Sequence, residues 1–285
     1  MNKIELKNVE DFNLTHILEC GQCFRWHKEQ NGSYTGVIKN GVINVRANSE
    51  KDISFIYELE GDADKVIKDY FDLNRNYSEI KKVISLNDET MVSAIKYGYG
   101  IRILKQDPWE MLISYIISAA NNIPRISKTI ENISKNYGKE IKFEGKNYYL
   151  FPTPEELAGA TIEDFRSLNL GFRDKYVYGA VQDVVSGKVN LEDINKLSYL
   201  EAKKELMKIK GVGAKVADCI LLFSMNKIEA FPIDTWIKKV MTELYSTKNS
   251  LKDIEKCATE RFGEYAGIAQ QYLFYYMREK SNIKI

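Results

Sequence analysis

The chain has 285 residues, of which 44% are hydrophobic and 28% charged. This composition excludes a disordered or fibrous protein and allows one large domain or two ordinary ones. Its 41 basic and 40 acidic residues leave a net charge of +1, which excludes a strongly basic chain and gives no reason by itself to expect a nucleic acid partner. No apolar run is long enough to span a membrane, and the N-terminal residues lack the apolar core of a signal peptide, so we expect neither insertion nor export.

The first 60 residues favour β-structure. Alternation of apolar and polar residues predicts four strands, over 4–6, 34–38, 42–45 and 53–57. Asn40-Gly41 is a strong hairpin signal between two of them. Between residues 66 and 95 the apolar spacing becomes helical. These patterns predict an antiparallel β-sheet domain with flanking helices over residues 1–95.

From about residue 96 the pattern is helical almost throughout. It predicts helices over 108–118, 123–137, 154–158, 161–167, 173–186, 198–209, 214–225, 235–245, 251–262 and 267–279. One interruption, at 141–150, has the pattern of a short hairpin. The predicted fold class is therefore α+β, a small antiparallel sheet domain followed by a larger helical domain over residues 96–285.

The charge divides unevenly between these two parts. Residues 1–90 contain 12 Lys and Arg against 16 Asp and Glu, whereas the remainder contains 29 against 24. Local charge matters more than the total when the partner is a polyanion. For a DNA-binding chain this predicts a basic stripe on the helical half, around Lys210, Lys215, Lys238, Arg125 and Arg173.

A helix, a tight turn and a second helix occupy residues 200–223. The turn contains Gly211 and Gly213, which permit positive φ angles and close approach by another molecule. The second helix starts directly after them, so its free N–H groups could bind a phosphate. An ordinary helical hairpin with a glycine cap is the alternative. Asp234 occupies an N-cap position 19 residues after Lys215, a spacing that lets the chain double back and bring the two together.

These residues resemble a known family. Gly-Val-Gly-Ala-Lys-Val-Ala-Asp-Cys at 211–219, followed by Pro-Ile-Asp at 232–234, is similar to the helix–hairpin–helix, Gly/Pro-rich loop and aspartate (HhH-GPD) signature of DNA glycosylases. Matches to the 8-oxoguanine branch lie at 21–26, 106–108, 121–125 and 265–270. The resemblance implies a TBP-like sheet domain and a helical HhH-GPD domain. It also implies a monomer that acts on double-stranded DNA. We expect the protein to be located in the cytoplasm of a prokaryote.

The resemblance makes Lys215 the candidate nucleophile and Asp234 its electrostatic partner. An amine can displace a damaged base at C1′ of the sugar, leave a Schiff base and permit β-elimination of the 3′ phosphate. A carboxylate stabilises the oxocarbenium character that the sugar acquires as the base departs. Without the family match, a solvated helix lysine and a capping aspartate would be the ordinary interpretations.

The implied base pocket consists of Gly21, Cys219, Gln270 and Phe274. Guanine N7 accepts a hydrogen bond, whereas 8-oxoguanine carries a hydrogen there, so one backbone carbonyl, assigned to Gly21, can distinguish the two bases. Gln270 and Phe274 lie four residues apart and share a helix face. There the amide would recognise the Watson–Crick edge of a flipped base and the ring would stack on it, opposite Cys219.

The resemblance also implies residues that contact the rest of the DNA. The opposite-base and wedge positions are Asn121, Asn122, Arg125, Phe172 and Arg173, and the phosphate contacts are Gly211, Gly213 and Trp236. The branch has a third asparagine where this chain has Ala120. Alanine cannot hydrogen-bond the orphaned cytosine, so we expect relaxed opposite-base specificity.

Cys20 and Cys23 have the spacing of a redox motif or half a zinc site. The only histidines are His16 and His27, and no second pair completes a tetrahedral zinc site. We therefore expect no metal or cofactor, apart from a structural cation that the hairpin turn could bind together with DNA.

The predicted function is a bifunctional 8-oxoguanine DNA glycosylase and abasic-site lyase of base excision repair. Two alternatives remain open. One is a glycosylase of the same superfamily for another oxidised or alkylated base, and the other is a non-catalytic helix–hairpin–helix DNA-binding protein. Binding alone requires neither Lys215 nor Asp234, so their presence disfavours the second alternative.

Overall fold

The computed structural model describes residues 2–282. Its N-terminal part is one antiparallel sheet, in the order β1-β5-β4-β3-β2. The strands are β1 (Asn2–Leu6), β2 (Trp26–Lys28), β3 (Tyr34–Ile38), β4 (Gly41–Ala47) and β5 (Ile53–Leu59). The predicted strands are thus present, and β3 and β4 form the expected hairpin around Asn40-Gly41. The sequence pattern does not predict β2, because its three residues are too few to show alternation.

Four helices accompany the sheet: α1 (Leu14–Leu18), α2 (Ala63–Tyr70), α3 (Tyr77–Ile84) and α4 (Glu89–Tyr97). The first two cover the sheet, because Ile17 and Ile67 are buried in one core with Ile43, Val45 and Phe55. The last two contribute their apolar faces to the core of the helical half instead. The domain division at residue 95 stays a prediction.

The second half is helical, with one hairpin of β6 (Glu140–Phe143) and β7 (Lys146–Tyr149) inserted in it. Its helices are α5 (Pro108–Ser118), α6 (Ile123–Tyr137), α7 (Pro154–Leu157), α8 (Ile162–Ser167), α9 (Asp174–Val185), α10 (Leu191–Lys196), α11 (Tyr199–Leu206), α12 (Ala214–Ser224), α13 (Thr235–Glu243), α14 (Leu251–Phe262) and α15 (Ala266–Asn282). The α+β fold class is confirmed. The sequence predicted these elements except α10, whose six residues are too few to establish a helical period.

Helix α5 lies at the centre of the helical half. Its nine residues from Trp109 to Ile117 are all buried, and it packs against α6, α9 and α12. A helix that is apolar on every side is stable only when neighbours surround it. Asp107 fixes its start by accepting hydrogen bonds from the backbone N–H groups of Trp109 and Glu110.

Buried polar contacts join the sheet half to the helical half. The Gln22 side chain donates to the carbonyls of Ile17 and Arg102 and accepts from the Leu104 N–H, at 2.8–2.9 Å. Gln106 in turn donates to the Gln22 carbonyl at 2.8 Å. Buried polar groups are costly unless paired, so these bonds fix the segment around Gln22 relative to the helices.

Among residues 2–282, no helix combines the length and the apolar character needed to cross a membrane.

Candidate active site and DNA-binding surface

The hairpin turn connects α11 to α12. Gly211 has φ +93°, and a Cβ there would lie 2.8 Å from Cβ and Cγ of Tyr176 on α9, so both its conformation and its neighbour require glycine. Gly213 differs from the prediction: its φ is −91° and a Cβ there would meet no atom within 4 Å. Gly213 is the exposed N-cap of α12 and no side chain caps it, which leaves N–H groups of the first turn open to an anion.

Lys215 lies in the first turn of α12, at the edge of a narrow cavity of about 50 Å³. All six predicted catalytic and base-pocket residues line this cavity, although they come from four separate parts of the chain. They are Gly21, Lys215, Cys219, Asp234, Gln270 and Phe274. These six residues supply one amine, one carboxylate, one thiol, one side-chain amide, one aromatic ring and the backbone of one glycine.

Asp234 is the N-cap of α13, and its Oδ1 accepts a hydrogen bond from the Ile237 N–H at 2.8 Å. Burial raises the pKa of its carboxyl above the ordinary value, and the Ile237 N–H and the Lys215 ammonium oppose that rise. Asp234 thus caps a helix and also interacts electrostatically with Lys215 in the cavity.

The Lys215 Nζ lies 5.3 Å from the centre of the Tyr115 ring, which forms one wall of the cavity with Phe223. Cys219 lies one helical turn after Lys215 and is 3% exposed. Burial raises the pKa of its thiol to about 11, although the Lys215 ammonium opposes the rise. The Cys219 sulfur is therefore a neutral, apolar surface at ordinary pH.

The Gly21 carbonyl is distinctive in its hydrogen bonding. The carbonyls of Ile17, Leu18, Glu19, Cys20 and Gln22 all accept hydrogen bonds from side chains. The carbonyl of Gly21 accepts none from any residue in the described part of the chain. Gly21 lines the cavity, so its unpaired carbonyl is an available hydrogen-bond acceptor.

Gln270 provides a second unpaired group. Its side chain is 4% exposed, and its Oε1 has no hydrogen-bond partner within residues 2–282. One turn further along α15, Phe274 is half-buried and turns toward Gly21, its Cε1 lying 3.2 Å from where a Gly21 Cβ would be. The amide and the ring share one face of α15, as the sequence predicted.

Four further residues line the cavity that sequence analysis did not identify: Tyr115, Phe223, Pro232 and Gln271. Tyr115 and Phe223 lie in continuously apolar helices, where no pattern separates a cavity wall from core. Gln271 is a polar residue beside Gln270 on a mostly buried helix. A polar residue in such a helix is a signal from which Gln271 could have been predicted.

A second, polar cavity of about 580 Å³ contains most of the predicted opposite-base residues. Its lining includes Ala120, Asn121, Arg125 and Arg173, together with Lys128, Thr129, Asn132 and Asn169. Ala120 has φ +50°, a conformation that asparagine adopts more readily than alanine. Asn122 is the N-cap of α6, accepting from the Arg125 N–H at 3.1 Å.

Arg173 differs from the expectation of a basic surface stripe, because it is 8% exposed. Its guanidinium donates to the carbonyls of Ala119, Ala120 and Leu170 and stacks on Phe172, 4.3 Å from the ring centre. Four of its five N–H groups are thereby engaged, which leaves one for an opposite base. Phe172 itself is 61% exposed, as a wedge residue must be, and Trp236 is half-buried at the start of α13.

Cys20 and Cys23 are buried free thiols, and burial raises the pKa of Cys20 to about 11. Each donates to a backbone carbonyl of α1. Among residues 2–282, no group of three or more His, Cys, Asp or Glu is arranged to bind a metal ion.

Comparison with known families gives two adjoining matches. Residues 4–112 match the family described as the N-terminal domain of 8-oxoguanine DNA glycosylase, and residues 113–264 match the HhH-GPD superfamily of base excision DNA repair proteins. Among curated relatives, the N-glycosylase/DNA lyase OGG1 of Arabidopsis thaliana is 30% identical, covering 89% of this chain and 74% of its own length. The N-glycosylase/DNA lyase of Saccharomyces cerevisiae is 29% identical, covering 94% and 84%.

Solved structures agree with this result. The 8-oxoguanine glycosylase/lyase of Clostridium acetobutylicum, in complex with double-stranded DNA containing cytosine opposite 8-oxoguanine, superposes with a TM-score of 0.94 at 47% identity, covering 98% of this chain and 96% of that one. A 3-methyladenine DNA glycosylase from Archaeoglobus fulgidus has a TM-score of 0.80 at 23% identity and shares the fold.

The hairpin geometry makes a first prediction. Gly211→Ala should displace either the turn or Tyr176 and weaken binding to duplex DNA by about tenfold, because both the positive φ and the 2.8 Å contact disfavour a Cβ. Gly159→Ala, at an exposed position where a Cβ would meet no atom within 4 Å, is the matched control and should bind within about twofold of the unaltered protein. Fluorescence anisotropy with a labelled duplex measures both, and equal losses for the two variants would contradict this account of the turn.

Proposed function

The chain belongs to the 8-oxoguanine DNA glycosylase branch of the HhH-GPD superfamily, and we propose that it excises 8-oxoguanine from duplex DNA and cleaves the resulting abasic site. One observation carries the proposal: a single cavity is lined both by Lys215 and by Gly21, whose carbonyl accepts no hydrogen bond within residues 2–282. The amine suits cleavage at the sugar, and the carbonyl suits recognition of a base that carries a hydrogen on N7.

Recognition requires the base to leave the helix and enter the cavity. The Gly21 carbonyl then accepts a hydrogen bond from the N7–H of 8-oxoguanine and repels the lone pair of guanine N7. The unpaired Gln270 Oε1 accepts from the Watson–Crick edge, which carries N–H donors in guanine derivatives. Phe274 and Cys219 provide apolar contacts to the two faces of the ring. The cavity of about 50 Å³ must widen to admit a purine.

Chemistry begins when the uncharged Lys215 amine attacks C1′ and the bond from C1′ to the base nitrogen breaks. The base leaves with the bonding electron pair and takes up a proton, while the Asp234 carboxylate stabilises the positive charge on the sugar. The sugar ring then opens, which leaves a Schiff base between C1′ and the Lys215 nitrogen. Loss of a C2′ proton then expels the 3′ phosphate. Lys215 and Asp234 are the groups of this chain that act on the sugar. A cation in the hairpin turn stays a prediction, and it concerns DNA binding alone.

Binding to the DNA backbone involves the open N-terminus of α12 and the half-buried Trp236 indole, which can donate one N–H. Phe172 occupies the space that the flipped base vacates. The monomeric state and the cytoplasmic, prokaryotic location stay predictions from the sequence and its resemblance.

Borohydride trapping tests the nucleophile. Reduction should covalently join the unaltered protein to a duplex containing 8-oxoguanine, and Lys215→Gln should abolish the product because no amine remains to form the Schiff base. Lys208→Gln, which removes an exposed lysine paired with Glu205, is the control and should trap normally. Trapping by the Lys215→Gln protein would assign the chemistry to another amine.

The pH dependence tests Asp234. Its carboxylate must be ionised to stabilise the sugar cation, and burial raises its pKa. As the pH is lowered, Asp234 therefore becomes protonated at a higher pH than an ordinary aspartate does. The rate of single-turnover excision should begin to fall at that same higher pH. Asp234→Asn should lower the rate by about a hundredfold and remove this limb of the profile. An acidic limb that persists in the variant would assign the titration to another group.

Opposite-base preference tests the polar cavity. Ala120 offers no side-chain hydrogen bond, and four of the five Arg173 N–H groups already bond protein carbonyls. The rates of excision opposite C, T, G and A should therefore differ by no more than about tenfold. Ala120→Asn should increase the preference for cytosine, since asparagine adds donors and tolerates φ +50°. Single-turnover rates on four duplexes measure this, and strict selectivity for cytosine in the unaltered protein would refute it.

A further inference from the structure

We propose that Gln271 and Arg278 on α15 are positioning residues that fix the direction of the Gly21 carbonyl and thereby determine selectivity for the lesion. The inference rests on the proposed function, because the direction of this carbonyl matters only if it recognises a base.

Both side chains bond the backbone directly before Gly21. Gln271 is 2% exposed, and its Nε2 donates to the Cys20 carbonyl at 2.8 Å. Arg278 donates through Nη2 to the Glu19 carbonyl. The residue after Gly21 is fixed as well, since its carbonyl accepts from Gln106 at 2.8 Å and from the Tyr115 hydroxyl at 3.3 Å.

These bonds restrict the conformational change to which Gly21 is most susceptible. Peptide units are planar, and glycine at φ +87° has no Cβ to oppose rotation of the next unit. Such a rotation would turn the Gly21 carbonyl away and direct the Gln22 N–H toward the cavity. The acceptor would become a donor, which attracts guanine N7 and repels the N7–H of 8-oxoguanine. Between fixed neighbours the unit can reverse only by bringing Gln22 to a positive φ, which a residue with a Cβ resists. Loss of the Gln271 or Arg278 bond removes this restriction, because the whole segment can then turn.

Arg278 also packs against Gly21. Its Nη1 would lie 3.1 Å from a Gly21 Cβ, its guanidinium lies 5.6 Å from the centre of the Phe274 ring, and Glu279 accepts from its Nε at 2.9 Å. One helix therefore carries the amide that contacts the base, the ring that stacks on it, and both side chains that bond the Gly21 segment. Motion of α15 would displace these groups together.

The test separates base recognition from chemistry on the sugar. An abasic site has no base, so its cleavage does not depend on the Gly21 carbonyl. Gln271→Met should lower single-turnover excision of 8-oxoguanine by about tenfold and leave cleavage of a preformed abasic site within about twofold. Arg278→Met should have the same selective effect, and Arg278→Lys, which keeps a donor, should restore part of the loss.

Gln182→Met is the matched control, because Gln182 makes the same kind of bond to the Ala158 carbonyl in the helical half. It should change neither rate. Equal losses in excision and abasic-site cleavage in the Gln271 and Arg278 variants, or no loss in either activity, would overturn the inference. If the Gln271→Met protein does not fold, the comparison of Arg278→Met with Arg278→Lys tests the inference alone. Failure of the unaltered protein to excise 8-oxoguanine would instead refute the proposed function.

Discussion

One unpaired carbonyl, that of Gly21, is the constraint on which the site depends. The carbonyls around it accept hydrogen bonds from Gln22, Gln106, Gln271 and Arg278. These bonds hold the segment in place and leave the carbonyl of Gly21, which lines the cavity, as its free acceptor. Gly21 is only partly buried, and its carbonyl accepts no hydrogen bond within residues 2–282. Such a group is available to a ligand, while the polar groups around it hold the loop in place.

The fold places chemistry and recognition at one point through three helices. Helix α12 presents Lys215 in its first turn, directly after the hairpin turn that contains Gly211 and Gly213. Helix α13 begins at Asp234, whose carboxylate faces the same cavity while it caps the helix. Helix α15 brings Gln270 and Phe274 from the C-terminal part of the chain. Buried α5 packs against α12, α13 packs against α15, and polar contacts through Gln22 attach the Gly21 loop to this frame.

Much of the site could be predicted because its residues form local motifs. The turn at 211–213, the cap at Asp234 and the four-residue spacing of Gln270 and Phe274 can all be identified in the sequence, and α5 and α6 have the predicted bounds. Helices α1 and α10 are too short to show a period. The bond from Gln271 to Cys20 joins residues 251 positions apart, and the engagement of Arg173 by Ala119 and Ala120 depends on a backbone that only the folded chain forms. Such long-range side-chain bonds leave no pattern in a single sequence.

The most direct test of the central claim compares the affinity of one inactive variant for two duplexes. Lys215→Gln lacks the amine and cannot consume its substrate, so equilibrium binding reports recognition alone. The duplexes differ only in having 8-oxoguanine or guanine opposite cytosine. The Gly21 carbonyl attracts the N7–H of 8-oxoguanine but repels the N7 lone pair of guanine. We therefore predict a dissociation constant at least about tenfold lower for the duplex with 8-oxoguanine. Equal affinity for both duplexes would contradict the assignment of recognition to the Gly21 carbonyl.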